Sequence, residues 1–131
     1  MNNRVLGATL FLAALLANPA SATGLFRTYL SAAGSDSNPC TLQLPCRLLP
    51  AALAATADGG EVWMLNSANF NVAQVEVTQS VTILAIPGVV GSVVATGGGH
   101  GIHVNAPGIK VALRNLVIVH LTSSGDGINI A

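Results

Sequence analysis

The stretch from Gly91 to Ile130, GSVVATGGGHGIHVNAPGIKVALRNLVIVHLTSSGDGINI, limits what this chain can fold into more than any other. Short β-branched runs recur in it: Val93-Val94, Ile102-His103-Val104, Val111-Ala112-Leu113, Leu116-Val117-Ile118-Val119 and Ile128-Asn129-Ile130. Runs of three to four such residues are too short for helices and suit strands. Gly, Asn, Pro and Ser separate them and supply the bends. The resulting expectation is a parallel β-solenoid, in which these runs stack coil upon coil. The fragments Gly99-His100-Gly101-Ile102-His103-Val104 and Gly125-Asp126-Gly127-Ile128-Asn129-Ile130 share a Gly-x-Gly-Ile-x-Val/Ile pattern 26 residues apart, and Ile83 and Val104 lie 21 apart. Solenoid coils of about 20 to 30 residues have such intervals. A β-sandwich presents similar runs over this length and stays open as the alternative.

Upstream, Phe26 to Ser31 reads as a first strand, with Phe26, Thr28 and Leu30 on one face and Arg27 and Tyr29 on the other. A turn-rich loop, Ala32 to Pro39, follows. Leu48 to Ala57 reads as a helix. Pro50 is tolerated only in its first turn, Leu49, Ala52, Leu53 and Thr56 form a buried stripe, and Asp58-Gly59-Gly60 stops it. Such a helix suits a cap over the first coil, whose strand edges and core would otherwise face water. Strands are then expected at Glu61 to Leu65, Val75 to Val77 and Val81 to Ala85, with a turn over Asn66 to Asn71. The organisation is thus residues 1–22 as a leader, 23–60 as strand, loop and capping helix, and 61–131 as coils.

The leader is read from order. Met1 to Arg4 carries one positive charge, Val5 to Ala17 is an apolar run of 13 residues, Asn18-Pro19 breaks it, and Ala20-Ser21-Ala22 is a small-x-small cleavage site. That is a secretory signal peptide; a membrane span needs about 18 or more apolar residues. Retention of this segment as an anchor is the rival reading. Cleavage leaves four basic against five acidic side chains, which is no electrostatic footprint for nucleic acid or an anionic membrane. Charged residues are 8% of the chain, against about 25% in typical domains, so solubility rests on neutral polar groups. Export places Cys40 and Cys46, the only two cysteines, in an oxidising compartment. A disulfide between them closes a seven-residue loop and is worth roughly 2 to 2.5 kcal/mol on the chain-entropy model. A metal site would need more ligands nearby, and a redox pair is usually Cys-x-x-Cys.

Arg27 to Ser31 (RTYLS), Gly34 to Thr41 (GSDSNPCT), Leu44 to Arg47 (LPCR), Ala51 to Thr56 (AALAAT) and Gly59 to Leu65 (GGEVWML) together resemble the N-terminal part of bacterial exported right-handed parallel β-helix proteins, which have the pectin-lyase-like fold. Ser80 to Ala85 (SVTILA) and Leu113 to Ile118 (LRNLVI) resemble its coils. The resemblance implies an all-β, right-handed parallel β-helix with a short N-terminal capping helix. Relatives run for many more coils, so it also implies a chain truncated at Ala131; an open last coil that pairs with a second chain is the other expectation. The family includes polysaccharide lyases, hydrolases and surface proteins, so fold does not decide function.

Enzymes on this fold work with carboxylates. Hydrolysis needs two, one to protonate the leaving oxygen and one to activate water or attack. Past the helix the acids are Glu61, Glu76 and Asp126. Glu76 and Asp126 are the candidate catalytic pair, but Glu76, between Val75 and Val77, reads as a solvent-facing strand residue, and Asp126, between two glycines, as a turn residue. No acidic cluster supplies the six to eight oxygens that calcium takes. His100 and His103 are the candidate metal ligands; on one strand they would point to opposite faces unless Gly101 turns the chain. No cofactor is expected. His120, Ser123, Ser124 and Asp126 do not form a nucleophile elbow, and Gly97-Gly98-Gly99 lacks the Gly-Lys-Ser/Thr of a phosphate loop. Trp63 is the candidate sugar-binding residue, although packing under the helix is its expected role. Asn69, Asn71, Asn105, Asn115 and Asn129 read as turn residues, with stacking between coils as an option. The functional expectation is an exported, non-catalytic β-helix protein of the surface or extracellular space, partnered if at all by polysaccharide or cell-surface glycan. The front of a polysaccharide-degrading enzyme with active residues beyond Ala131, and a small carbohydrate-binding module, are the alternatives.

Overall fold

The structure, a computed structural model, describes residues 24–122 and 124–131. Residues 1–23, on which the expected leader falls, and Ser123 lie outside them. The chain forms β1 (Leu25–Leu30), α1 (Leu49–Ala55), β2 (Thr56–Met64), β3 (Ala68–Asn69), β4 (Val75–Val77), β5 (Val81–Ala85), β6 (Gly91–Ala95), β7 (Ile102–Val104), β8 (Val111–Arg114), β9 (Leu116–His120) and β10 (Ile128–Ile130). Three sheets result, in the orders β1-β2-β5-β8, β3-β6-β9 and β4-β7-β10. Every pairing between these strands is parallel. The antiparallel layers of a sandwich are therefore not what these strands build. From β2 onward the chain visits the three sheets in the same order three times.

Alternation selects the core. Val81, Ile83 and Ala85 of β5, Val93 and Ala95 of β6, and Ile102 and Val104 of β7 are buried, while the residues between them are half-buried on the other face. Parallel register stacks like on like: Val62, Ile83 and Leu113 lie in one row, Val75, Ile102 and Ile128 in another. All of these stacked side chains except Ile128, which is exposed at the end of its row, belong to one hydrophobic cluster, which Leu49, Ala52 and Leu53 of α1 join. A fully buried Val or Ile contributes about 1.5–3 kcal/mol, so the stacked rows hold the sheets together. Burial falls along the chain: Leu113 and Ile118 are only partly buried, and Ile130 is 77% exposed.

The two Gly-x-Gly-Ile fragments lie in register, with Ile128 opposite Ile102. The Ile83–Val104 interval does not mark a stack. Ile83 pairs with Val62 and Leu113, whereas Val104 belongs to the sheet of β4 and β10. The expected turn from Asn66 to Asn71 also contains a short strand, β3, and ends near fully buried Phe70.

The helix is shorter than its sequence pattern. It begins as expected, with Pro50 in its first turn and Leu49, Ala52 and Leu53 buried, but Thr56 already belongs to β2. Thr56 is extended (φ −86°, ψ 135°), which suits a β-branched residue. Its hydroxyl lies 2.6 Å from the Ala52 carbonyl oxygen and 2.8 Å from the Thr28 hydroxyl, both in the interior. The Gln79 amide donates to the carbonyls of Leu53 (3.2 Å), which also accepts the Thr56 N–H, and of Thr56 (2.9 Å), tying the helix end to the chain after β4. Asp58-Gly59-Gly60 is therefore not a helix stop but a bulge inside β2. Leu25 pairs with Thr56 while Arg27 pairs with Glu61, and Gly59 takes up the excess chain at φ +77°. The same irregularity leaves Phe26, expected inward, 63% exposed; Thr28 and Leu30 are inward as expected.

Cys40 and Cys46 stand at disulfide distance, with Cα atoms 4.6 Å apart. Their loop lies along the outer edge of β1: the Tyr29 N–H donates to Cys40 O, Cys46 N–H to Tyr29 O and Ser31 N–H to Cys46 O. It occupies backbone groups that β1 would otherwise present as an open edge.

Candidate functional site

Every buried side-chain nitrogen and oxygen among the described residues has a hydrogen-bond partner. Reactive groups are therefore sought on the outer faces, where two clusters form.

The first lies on the β1-β2-β5-β8 sheet. Period-two alternation puts Arg27 and Tyr29 outward on β1 and Glu61 and Trp63 outward on β2, with Arg27 beside Glu61 and Tyr29 beside Trp63. Arg27 Nε donates to Glu61 Oε2 at 2.8 Å, and Trp63 Nε1 donates to the same oxygen at 2.9 Å. The Arg27 guanidinium sits 4.0 Å from the Trp63 ring centroid, and Tyr29 meets Trp63 edge-on at 6.4 Å. The Arg27 hydrogen bond, aided by that from Trp63, holds the Glu61 carboxyl below its ordinary value of 4.5; the charges of Arg27 and Arg114 act in the same direction. The same contact raises the Arg27 guanidinium. Leu84 and Arg114 continue the Tyr29–Trp63 row onto β5 and β8. Trp63 is thus half-buried on the outer face, not packed under α1, because the inward positions of β2 are Val62 and Met64.

The second cluster lies on the β4-β7-β10 sheet. Glu76, His103 and Asn129 occupy one register row. Glu76 is solvent-facing, as its position between two valines implies. His103 Nδ1 is 3.1 Å from Glu76 Oε2 and 3.2 Å from Oε1, and the Gln74 amide also contacts Glu76. The Gln74 contact first, then that from His103, lowers the Glu76 carboxyl from its ordinary value. His100 precedes β7. The chain turns at Gly101, so the His100 and His103 rings are 5.5 Å apart and not on opposite faces. His100 Nδ1 accepts the Asp126 backbone N–H at 3.0 Å and lies 3.6 Å from Asp126 Oδ2.

Glu76 and Asp126 are consequently not set against each other. Each contacts a different histidine. Among the described residues no three His, Cys, Asp or Glu side chains converge as metal ligands. An open cleft of about 340 Å³ between α1 and β4 is lined by Leu53, Gln74, Glu76, Thr78 and Gln79 among others, and holds one carboxylate. His120 lies on β9 beside Ala95, in a different sheet from β7 and β10, and the imidazole facing Asp126 is that of His100. Gly98 and Gly99 take positive φ in a bend. Of the asparagines, Asn115 turns the chain at φ +55° and its amide donates to Val89 O at 2.8 Å and Ala85 O at 3.3 Å, reaching the preceding pass. Asn129 is a strand residue instead, and so is Asn69.

The Arg27–Glu61–Trp63 cluster has no signal in residue spacing, because its partners are 34 residues apart. The histidine cluster had one: aligning the two Gly-x-Gly-Ile fragments sets His100 opposite Asp126 and His103 opposite Asn129. No helix among the described residues is long and apolar enough to cross a membrane. Comparison of the chain with protein-family models, curated proteins and solved structures finds no match.

Proposed function

We propose that this chain is an exported, non-catalytic right-handed parallel β-helix, the N-terminal part of a surface or extracellular protein. The recurring visit to three parallel sheets supports the β-helix, and the strong right-handed preference of parallel crossovers supports its hand. The Cys40–Cys46 pair fits an oxidising compartment, and the order of residues 1–22 supports a cleaved leader.

One observation carries the non-catalytic reading: four of the five acids are hydrogen-bonded in contacts that hold segments together, and the fifth, Asp126, faces a histidine. Asp36 Oδ1 accepts the Arg47 and Leu48 N–H groups, and Asp58 Oδ1 accepts that of Ser80. Glu61 holds Arg27 and Trp63, Glu76 holds His103, and Asp126 faces His100. A glycosidase-type mechanism needs two carboxyls facing one bond. The test is secretion and turnover measured together. The expected result is an exported form lacking residues 1–22 that releases no reducing or unsaturated ends from a panel of acidic and neutral polysaccharides. Cytoplasmic retention of the uncleaved chain, or measurable turnover abolished by Glu76→Gln, overturns the proposal.

The outward placement of Tyr29 and Trp63 favours glycan binding without catalysis as a second reading. A glycan array probed with the chain and with Trp63→Ala decides it; equal signals from both remove it.

A further inference from the structure

The segments Gly99-His100-Gly101 and Gly125-Asp126-Gly127 lie side by side ahead of two paired strands, β7 and β10. Two backbone bonds join them in one direction: the Gly101 N–H donates to Asp126 O at 3.0 Å, and the Ile102 N–H to Gly127 O at 2.9 Å. The return bond is not made by backbone. The Asp126 N–H donates to the His100 ring at Nδ1. That bond exists only while Nδ1 has a free lone pair, which a neutral imidazole has on one nitrogen and an imidazolium on neither.

We infer that His100 is a proton-operated latch on the segment leading into β10. Neutral, its Nδ1 accepts the Asp126 N–H and its proton resides on Nε2. When a proton from solvent adds to Nδ1, the lone pair is consumed and the ring becomes a double donor. The Asp126 N–H then loses its acceptor, and the new Nδ1–H turns to the Asp126 carboxylate, whose Oδ2 is already 3.6 Å away. Asp126 sits between two glycines, and Gly125 is at φ +126° against the Gly99 carbonyl. That backbone re-aims with less steric restriction than one flanked by side chains. The two bonds to Asp126 O and Gly127 O remain, so β10 is loosened at its entry and not detached.

The surroundings decide the direction of the change. The titratable side chains beside His100 are Asp126 and His103 from β7, the latter itself paired with Glu76 from β4; Gln74, neutral, accepts the His100 backbone N–H at 2.7 Å and keeps its main chain in place. His103 responds in the opposite sense, because its Nδ1 faces the Glu76 carboxylate and a proton there strengthens that contact. The same tautomer argues against an ion bridging the two rings, since the Nε2 of neutral His100 keeps its hydrogen and has no lone pair to offer.

Nuclear magnetic resonance of the full chain across roughly pH 5 to 8, where histidine side chains change charge, tests the latch at both ends. Neutral His100 is expected as the Nε2–H tautomer. On protonation the Asp126 amide is expected to exchange about fivefold faster than its intrinsic pH dependence requires, the factor corresponding to one ordinary hydrogen bond. His100→Asn offers an uncharged oxygen acceptor in place of Nδ1, so it should keep the amide protected at both pH extremes. His103→Asn should leave the response intact. An Nδ1–H tautomer for neutral His100 overturns the inference, as does an unchanged pH response in His100→Asn. The tautomer measurement is made on the unsubstituted protein and decides the matter even where a variant fails to fold.

Discussion

Truncating Ile83 to alanine tests the stacked interior directly. Ile83 is fully buried at the centre of β5, between Val62 on one side and Leu113 on the other. Ile83→Ala removes three carbons. At about 0.8 kcal/mol per buried methylene the transfer loss is about 2.4 kcal/mol. Neighbours from two strands in the same row cannot all collapse into the space, and the residual cavity brings the total to about 3–4 kcal/mol, inside the range for such core truncations. A domain of this size has about 5–15 kcal/mol in all, and each kcal/mol moves Tm by about 4–8 °C, so a fall of roughly 12–30 °C is expected. Thr82→Ala, one residue earlier and on the outer face, should cost within about 0.5 kcal/mol. Urea unfolding followed by fluorescence of Trp63, the single tryptophan, reads both variants against far-ultraviolet circular dichroism. Equal costs at positions 82 and 83 would refute the inward–outward alternation on which the stacking rests.

Three further outcomes follow from local contacts. Replacing Cys40 and Cys46 together by serine should cost roughly 2 to 2.5 kcal/mol, and reductant should lower the midpoint of the parent protein by a similar amount and leave the variant unmoved. Glu61 and Glu76 both have carboxyls depressed from 4.5, so they bind fewer protons folded than unfolded; their contribution is complete above the unfolded carboxylate range and is lost as pH falls through the lower folded values. Carbon-detected titration should show both midpoints below 4.5, with Arg27→Met raising that of Glu61 and sparing Glu76; a midpoint at or above 4.5 in the parent protein contradicts the contacts. Asn115→Ala should destabilise by about 1–3 kcal/mol, since alanine tolerates the left-handed backbone poorly and leaves the Val89 and Ala85 carbonyls without their donor. Thermal melts of Asn115→Ala beside Asn115→Gly separate the two causes.

What could be read from residue order was whatever depends on neighbours in sequence. The run Val81 to Ala85 was legible as a strand, and Leu49, Ala52 and Leu53 as the buried stripe of the helix. Where that reading failed, a distant residue had intervened. Thr56 leaves the helical pattern because Thr28, 28 residues away, meets its hydroxyl in the interior. Phe26 faces outward because β2 bulges at Gly59 while β1 does not. Trp63 is outward because Val62 and Met64 fill the interior on either side of it, a choice that hydrophobicity alone leaves open in an apolar run.

The outer faces were the least legible, and the reason is geometric. Val62 and Ile83 are paired 21 residues apart, Ile83 and Leu113 30 apart, and Ile102 and Ile128 26 apart. A chain with variable intervals conceals which outward side chains become neighbours, because a one-residue error in register moves a side chain to the opposite face. Register is recoverable only where short-range chemistry repeats, as in the two Gly-x-Gly-Ile fragments. There two of the four glycines are required by contact between backbones: a Cβ at Gly101 would lie 2.6 Å from Gly127 O, and one at Gly125 would lie 2.0 Å from Gly99 O. The position between each pair of glycines is under no such constraint and is free to vary in chemistry, His100 in one fragment and Asp126 in the next. The packing rule that makes these fragments recognisable is thus also what sets an imidazole opposite a backbone amide, and the proton response argued for His100 follows from a spacing imposed by sterics.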